Sequence, residues 1–525
     1  MSFIKSRFNQ LLLPLIVFVG ATIRFVGIGR DSLWFDELQT VWVTRLPMQY
    51  FMTGLAEWGD VPLYYVIGRF WFSLYSVEAW SRSLSWAAGV CLIIIVYFVG
   101  KELFSRQTGL WAAALVAVSP FLVWYSRDAT LYSWLAASSL LSTYFLVRCV
   151  TRGRRANWIA YTAITAATLF THLFTAMLLV AQLPLYLIIR DRKKNPLAPW
   201  IASQAVLTAT MIITWLIARG STNMIEMSFT AEEIIVWFLE APIILIGGAY
   251  AIELHVKLHD DNALFNLLFY LVSIFFILDI AGSVFVMARN QSPELKVVYK
   301  RAIGLILYTF LLVALPIIVF SVAGEIFVWP YRFYLWATPT LLLLLALIIV
   351  PVKGNNRTII GILAVTGLAA ITLLGPGPPT NMDYRGPLKA ITDGYREGDY
   401  LFCFPYAQCA VSLGYYLPED TRMGGGRISP ADSHNPEVAI LPERDDWFDY
   451  FLHQKMRAST EKLMPLAELS GKADRALQGV DRVWLMFDYG PECIGCEEMK
   501  RFLLPGWHEI KSWHNETNII YLYTR

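Results

Sequence analysis

Three carboxylates and an arginine stand beside a Trp and a Phe in Arg30-Asp31-Ser32-Leu33-Trp34-Phe35-Asp36-Glu37, directly after the first long apolar stretch of the chain. Asp36 and Glu37 are adjacent, so on a helix their side chains diverge by about 100° and cannot share one proton as a catalytic dyad does. They must have separate jobs. A carboxylate at the water edge of a membrane cavity, with its pKa tuned by Trp34 and Phe35, is suited to act as a general base toward a hydroxyl. The other carboxylate has three roles open to it: holding a metal, orienting an acceptor, or capping the helix that starts there. The bland alternative for the whole stretch is interface anchoring, because Trp and Phe gather at membrane surfaces and acidic neighbours are often only solvated.

Polar and ionisable residues recur where other apolar runs end: Asp60, Arg82, Arg127, Asp128, His172, Glu325 and Arg332. Such residues are expensive near a membrane and usually face a cavity or a partner. Taken singly, each has a dull reading. Arg82 can snorkel, Asp128 can pair with Arg127, Arg332 can sit among headgroups, and His172 can be a satisfied residue in a tight turn. Those readings do not explain why all of them fall on one predicted membrane face.

The elements that must hold these residues follow from composition. With 525 residues, 56% hydrophobic, 16% charged and a mean hydropathy of +0.49, the chain has too little polar surface for a soluble protein. About eleven transmembrane helices are expected, over 11–28, 79–99, 109–125, 130–149, 157–171, 173–190, 199–218, 263–287, 302–322, 333–351 and 358–374. The first lacks a small-residue cleavage site and reads as a retained helix. With the N-terminus in the cytoplasm, six short inner segments each carry two to four Lys and Arg, while the short outer turns hold almost only Arg127 and Arg332. The same rule requires two crossings within 157–190, with a turn near Thr171-His172. It also makes 219–262 an outer in-plane or re-entrant segment.

Two long segments then lie outside: the loop 29–78, with juxtamembrane helices, and everything after about Gly375. The run Gly375-Pro376-Gly377-Pro378-Pro379 cannot continue a helix, so the expected domains are a membrane module over 1–375 and an extracytoplasmic α/β domain over 376–525. In the latter, 383–395 reads as helix, and 399–404, 482–487 and 518–523 read as strands. Gly424-Gly425-Gly426 follows no strand and opens no helix, so it is not read as a phosphate cradle. Cys403, Cys409, Cys493 and Cys496 fall in this domain; Cys493 and Cys496 are close enough in sequence to pair, whereas the Cys403/Cys409 spacing is unlike a zinc knuckle. Cys91 and Cys149 read as packing residues. A net charge of +2 says little about partners, and no nucleic-acid partner is expected.

These residues carry a resemblance. Leu33-Trp34-Phe35-Asp36-Glu37 resembles the first-loop motif of C-type polytopic glycosyltransferases of the protein O-mannosyltransferase and lipid A aminoarabinose transferase kind. Pro62-Leu63-Tyr64-Tyr65 resembles their second-loop block, and Ser119-Pro120 through Asp128-Ala129 with Tyr132 the block at the next outer turn. Thr171-His172, Tyr331-Arg332-Phe333-Tyr334 with Pro339, and Asp383-Tyr384-Arg385-Gly386 resemble later family blocks. The chain also departs from the family: Asp60-Val61 stand where His-Pro is usual, and Asp128-Ala129-Thr130 where Glu-Ala-Arg is usual.

The resemblance implies a membrane enzyme that moves a hexosyl or pentosyl group from a polyprenyl phosphate to a hydroxyl on a lipid, glycan or protein acceptor at the outer face, with inversion. A phosphate leaving group needs no general acid, only cations to stabilise the developing charge. A retaining route would need a second carboxylate about 5 Å away as nucleophile, which adjacent diverging residues do not offer. The expected roles are Asp36 as base, Glu37 as supporting carboxylate, and Arg82, Arg127 and Arg332 on the donor phosphate. Trp34, Asp60, Tyr64, Tyr65, Asp128, His172 and Tyr331 are expected to line the cavity. A divalent cation is possible, with Glu37, Asp128 and His172 as its candidate ligands. The alternatives are a lipid or small-molecule transporter, or a non-catalytic envelope assembly protein. Against a transporter, the chain shows no repeat, and its charges lie at a boundary rather than the midplane.

Overall fold

The computed structural model describes the chain apart from Met1 and residues 46–47, 49–50, 53–54, 56–60, 192–196, 219–240, 249–281, 283–292, 324–329, 351–354, 375–383, 397–398, 405–414, 417–421, 424–425, 428–476, 488–499, 502–503 and 515–518. By its packing the described chain divides into two units, one of 1–28, 55–71 and 79–379, the other of 29–54, 72–78 and 380–525. The sequence reading kept 29–78 with the membrane module. Its two ends instead pack with the C-terminal domain, for reasons given below.

The first unit is helical. Its elements are α1 (Ser2–Phe25), α3 (Pro62–Phe72), α4 (Glu78–Leu103), α5 (Arg106–Val118) with its continuation α6 (Pro120–Tyr125), α7 (Tyr132–Arg152), α8 (Arg155–Leu169), α9 (Ala176–Ile189), α10 (Ala198–Ala218), α11 (Pro293–Ala323), α12 (Thr338–Ile349) and α13 (Asn355–Leu374); α2 belongs to the second unit. These helices fall on ten of the eleven expected runs. The other run, 263–287, lies outside the described residues but for Gly282, as does the expected in-plane segment 219–262 but for 241–248.

Among the described residues four helices are long and apolar enough to cross a membrane: Glu78–Leu103, Tyr132–Arg152, Ala198–Ile217 and Leu295–Val319. Several other runs are shorter because the chain breaks them. Pro120 separates α5 from its continuation, a 3-10 turn over Leu173–Thr175 precedes α9, and a 3-10 stretch over Pro330–Ala337 precedes Thr338–Ile349. Helix ends carry ordinary stops: Gly27 follows α1 at φ 79°, and Gly153 closes α7 at φ 63° with its N–H on the Cys149 carbonyl.

Where helices pass closely, the residues are small. A Cβ on Gly100 would come within 2.8 Å of the Gly109 Cα, so the helix Glu78–Leu103 and α5 touch backbone to backbone there. Deeper in, hydroxyls and amides bond across helices. Tyr161 donates to Gln182 Oε1 (3.0 Å), Gln182 Nε2 donates to Ser142 (2.9 Å) and Thr143 (3.1 Å), and Thr143 meets the Tyr308 hydroxyl at 2.8 Å. Each of these buried groups thereby keeps a partner in the apolar layer. Cys149 is buried in this core, and Cys91 is exposed on the helix surface.

The second unit joins α2 (Phe35–Arg45) to a sheet domain. The helix Arg385–Gly394 leads into β1 (Tyr400–Phe404), which pairs in parallel with β2 (Arg482–Phe487). Two further strands, β3 (His508–His514) and β4 (Ile519–Thr524), complete a four-stranded sheet in the order β1-β2-β4-β3, the last pairings antiparallel. Both faces of β2 are covered: Val483, Trp484, Leu485 and Met486 are all fully buried. Asp399, just before β1, ties the domain together, accepting from Trp484 Nε1 at 2.8 Å and from the Arg396 N–H at 3.0 Å, with Arg482 at 3.5 Å. Of the cysteines expected in this domain, Cys403 lies in β1; Cys409, Cys493 and Cys496 lie outside the described residues.

Candidate functional site

In the second unit, Asp36 and Glu37 occupy the first turn of α2 and do different things. Glu37 is fully buried, and its Oε2 accepts the N–H of Trp34 at 3.1 Å. Trp34 is the residue ahead of the helix and Glu37 its third, so this is the returning half of a capping box. Of the three roles left open for Glu37, capping is the one its geometry shows. Asp36 is half-buried beside it, and its backbone carbonyl accepts from Thr40 Oγ1 at 2.8 Å.

In the first unit, some of the remaining candidates are linked by short contacts. The N–H of Leu63, in the second-loop block, donates to the Phe170 carbonyl at 2.9 Å, which fixes buried Tyr64 and Tyr65 to the turn that bears His172. His172 caps the 3-10 turn, its Nδ1 accepting the Phe174 N–H at 3.2 Å. Burial, and then the nearby positive Arg332, push its imidazole down to about 4, so it stays neutral at ordinary pH. Arg332 donates to the Tyr132 hydroxyl at 3.3 Å and lies 5.7 Å over that ring. Asp128, 3% exposed, accepts from Thr130 Oγ1 at 3.1 Å, and the Thr130 carbonyl accepts from Ser85 at 2.8 Å. Asp60 lies outside the described residues, and only the backbone of Tyr331 is described.

The three candidate phosphate ligands differ. Arg127 donates to the carbonyls of Ile23 and Arg24 in the last turn of α1 and of Val26 just past it, and the buried Arg82 donates to the carbonyl of Ile28 in the turn that follows, at 2.9 Å. Both thus hold the backbone where the first helix ends. Arg332, by contrast, has a phenol for its hydrogen-bond partner, at the long end of the distance range.

One functional residue escaped the sequence reading. Arg24, fully buried, donates to the carbonyls of Ala117 (2.6 Å), Val116 (2.9 Å) and Gly20 (3.1 Å), and to Ser126 Oγ (3.1 Å). Pro120 has no N–H to give Val116, so the end of α5 has an acceptor with no helical donor, and Arg24 supplies one. The signal was present in the sequence, a lone Arg inside an apolar run with Ser119-Pro120 elsewhere, but only the fold pairs them.

Among the described residues no group of three or more His, Cys, Asp and Glu stands close enough to hold a metal ion. Two of the three candidate ligands also have other work, Glu37 on Trp34 and His172 Nδ1 on Phe174. The described residues therefore do not fit a resident divalent cation, and no step below is routed through one.

Residues 60–218 match the family model described as dolichyl-phosphate-mannose-protein mannosyltransferase. No curated protein sequence matches the chain. Among solved structures, ArnT from Cupriavidus metallidurans bound to undecaprenyl phosphate superposes with a TM-score of 0.55 at 11% identity, over 97% of each chain. AglB, the oligosaccharyltransferase of Archaeoglobus fulgidus, in complex with an inhibitory peptide and a dolichol phosphate, gives a TM-score of 0.50 at 11% identity, over 92% of this chain and 70% of that one. The same archaeal enzyme tethered to an acceptor peptide gives 0.51 at 12% identity, over 92% and 70%.

Proposed function

The chain has the C-type glycosyltransferase fold and resembles the mannosyltransferase family over 60–218; from this we propose that it is a membrane glycosyltransferase. It moves a sugar from a polyprenyl-phosphate donor to a hydroxyl acceptor at the outer membrane face, with inversion. The observation that carries this reading is the gathering of Arg332, His172, Tyr132 and the Tyr64-Tyr65 block at one end of the helical unit. A cation over an aromatic ring, with a neutral histidine beside it, is a setting for a phosphate that must depart with its negative charge stabilised. That the fold is shared with proteins solved with undecaprenyl phosphate and dolichol phosphate supports the same donor class.

Asp36 is the base in this reading. It takes the proton of the acceptor hydroxyl as that oxygen bonds to the anomeric carbon, and the bond from that carbon to the phosphate oxygen breaks, releasing polyprenyl phosphate. Glu37 supports it by holding the start of α2. Arg332 leads the phosphate ligands, and Arg82 and Arg127 add charge while fixing the end of α1. The remaining proposals are about eleven crossings, a cytoplasmic N-terminus, and a sheet domain outside the cytoplasm that recognises the acceptor.

The test is transfer itself. Purified protein in nanodiscs is given a panel of polyprenyl-phosphate sugars with hydroxyl acceptors, and released polyprenyl phosphate is followed by mass spectrometry. Wild-type protein that neither transfers sugar nor retains such a lipid through purification would move the assignment to transport or envelope assembly.

A further inference from the structure

The loop that carries Asp36 is held by side chains that arrive more than 300 residues later in the chain. Ser32 and Leu33 are buried, and both are bonded to the sheet domain's own segments. The Leu33 N–H donates to the Tyr416 hydroxyl at 2.7 Å, and the Ser32 Oγ accepts the Tyr384 N–H at 3.1 Å. Tyr416 in turn donates to Glu78 Oε1 at 3.5 Å, and the same oxygen takes Arg385 Nη2 at 2.8 Å. With Glu37 on the Trp34 N–H, three consecutive residues ahead of α2 have a defined partner.

Glu78 is an economical hub. It opens the helix Glu78–Leu103, where a carboxylate is favoured by the exposed N–H groups, and its side chain is only 17% exposed. Arg385 satisfies its charge. Burial, and the negative Glu78 beside it, keep the Tyr416 hydroxyl protonated. That hydroxyl therefore accepts from Leu33 and donates to Glu78 at the same time, the only arrangement that serves both partners. Arg45, at the far end of α2, lies 4.9 Å over the neighbouring Tyr415 ring and donates to Ser76 at 3.1 Å. Segment 72–78 and residues 415–416 thus hold α2 at both ends.

We infer that Tyr416, Glu78 and Arg385 are positioning residues for the transfer reaction, fixing the first turn of α2 so that the Asp36 carboxylate is held in one place. This rests on the glycosyltransferase reading. The sheet domain then supplies part of the reaction's geometry, in addition to recognising the acceptor. A base that must meet a hydroxyl proton loses much of its rate when displaced by about 1 Å, while substrate binding by other residues is unaffected.

The experiment is Tyr416→Phe, which removes the hydroxyl and keeps the ring. It is followed by steady-state transfer from a defined polyprenyl-phosphate sugar and by amide hydrogen exchange of the intact protein in nanodiscs. The expected result is a kcat lower by about 10-fold with the donor KM within about 2-fold of wild type. Exchange should quicken at the amides of Leu33 to Leu38, with β2 and β4 as protected as before. Glu78→Gln, which keeps an acceptor for Tyr416, should retain more kcat than Glu78→Ala, and adding Glu78→Ala to Tyr416→Phe should cost little more than the worse single change. Faster local exchange with wild-type kcat would reduce the latch to a structural staple, and an equal loss of protection across β2 and β4 would reduce it to domain stability; either result overturns the inference alone. Wild-type protein with no transfer activity sinks the glycosyltransferase reading and this inference with it.

Discussion

The helical unit and the loop-and-sheet unit handle charge in opposite ways. In the helical unit three arginines answer to the backbone: Arg24, Arg82 and Arg127 donate to carbonyls at or just past helix ends. In the loop-and-sheet unit the carboxylates answer to side chains and loop amides, Glu37 to Trp34, Glu78 to Arg385 and Tyr416, Asp399 to Trp484. The contrast follows from the surroundings. A broken helix in an apolar layer leaves carbonyls that only a long cationic side chain can reach, whereas a loop near water leaves N–H groups that a carboxylate can cap. Cations placed this way are part of the scaffold first, whereas the contacts described for Arg332 are to the Tyr132 hydroxyl and ring.

The sharpest way to break the comparison is Asp36→Asn. If the loop carries chemistry and the helices carry structure, transfer should fall by at least about 100-fold while thermal unfolding in detergent stays near wild type. Near-normal transfer would leave the Asp-Glu pair as a helix start and nothing more.

Arg24→Met is the complementary change on the helical side. It leaves the Val116 and Ala117 carbonyls in an apolar layer without their donor, and the expected cost is about 2–3 kcal/mol of unfolding free energy. An unchanged midpoint would remove Arg24 from the scaffold.

His172 tests the same side through pH. Its folded pKa lies near 4, below the ordinary value of about 6.5, so the unfolded chain takes up the proton first as pH falls. Stability from the neutral imidazole is therefore complete above about pH 7 and drains away between about 6.5 and 4, by roughly 3 kcal/mol in all and roughly 2 kcal/mol by pH 5. Unfolding midpoints at pH 7 and pH 5 should draw together in His172→Gln relative to wild type. An identical pH dependence in both proteins would contradict this.

The smallest effect separates the arginines. Arg332→Ala should raise the donor KM by about 10-fold and Arg332→Lys by less, because a lone cation still attracts phosphate when the planar fork is gone. Arg127→Lys should instead show its loss in stability, since its donors meet three carbonyls at once. Equal KM values in all these proteins would take Arg332 out of the donor site.

What could be read from the sequence follows the same divide. Apolar runs of fixed length announce helices whatever they pack against, so the turn at Thr171-His172 and the strands near 400, 482 and 519 were legible from period and punctuation. Breaks inside a run were less so, because Pro120 sits between apolar flanks and most of the 3-10 stretch at Pro330–Ala337 falls inside a run long enough to read as one helix. Partners were the least legible. Nothing local tells Leu33 that its N–H will meet Tyr416, 383 positions away, or that β3, with charged residues at Glu509 and Lys511, will edge the sheet. The assignment of 29–54 and 72–78 to the sheet domain depends on such pairings.

The bond between Arg24 and α5 also has a timetable. On the ribosome the first helix is complete while its carbonyl partners are still 92 and 93 residues from being made. At about 5–20 residues per second that gap lasts roughly 5 to 20 seconds. Through that interval the guanidinium has no helix end to cap and must reach for the lipid headgroups. The first segment thus enters the membrane owing a partner, and the arrival of Val116-Ala117 is the moment at which it can settle.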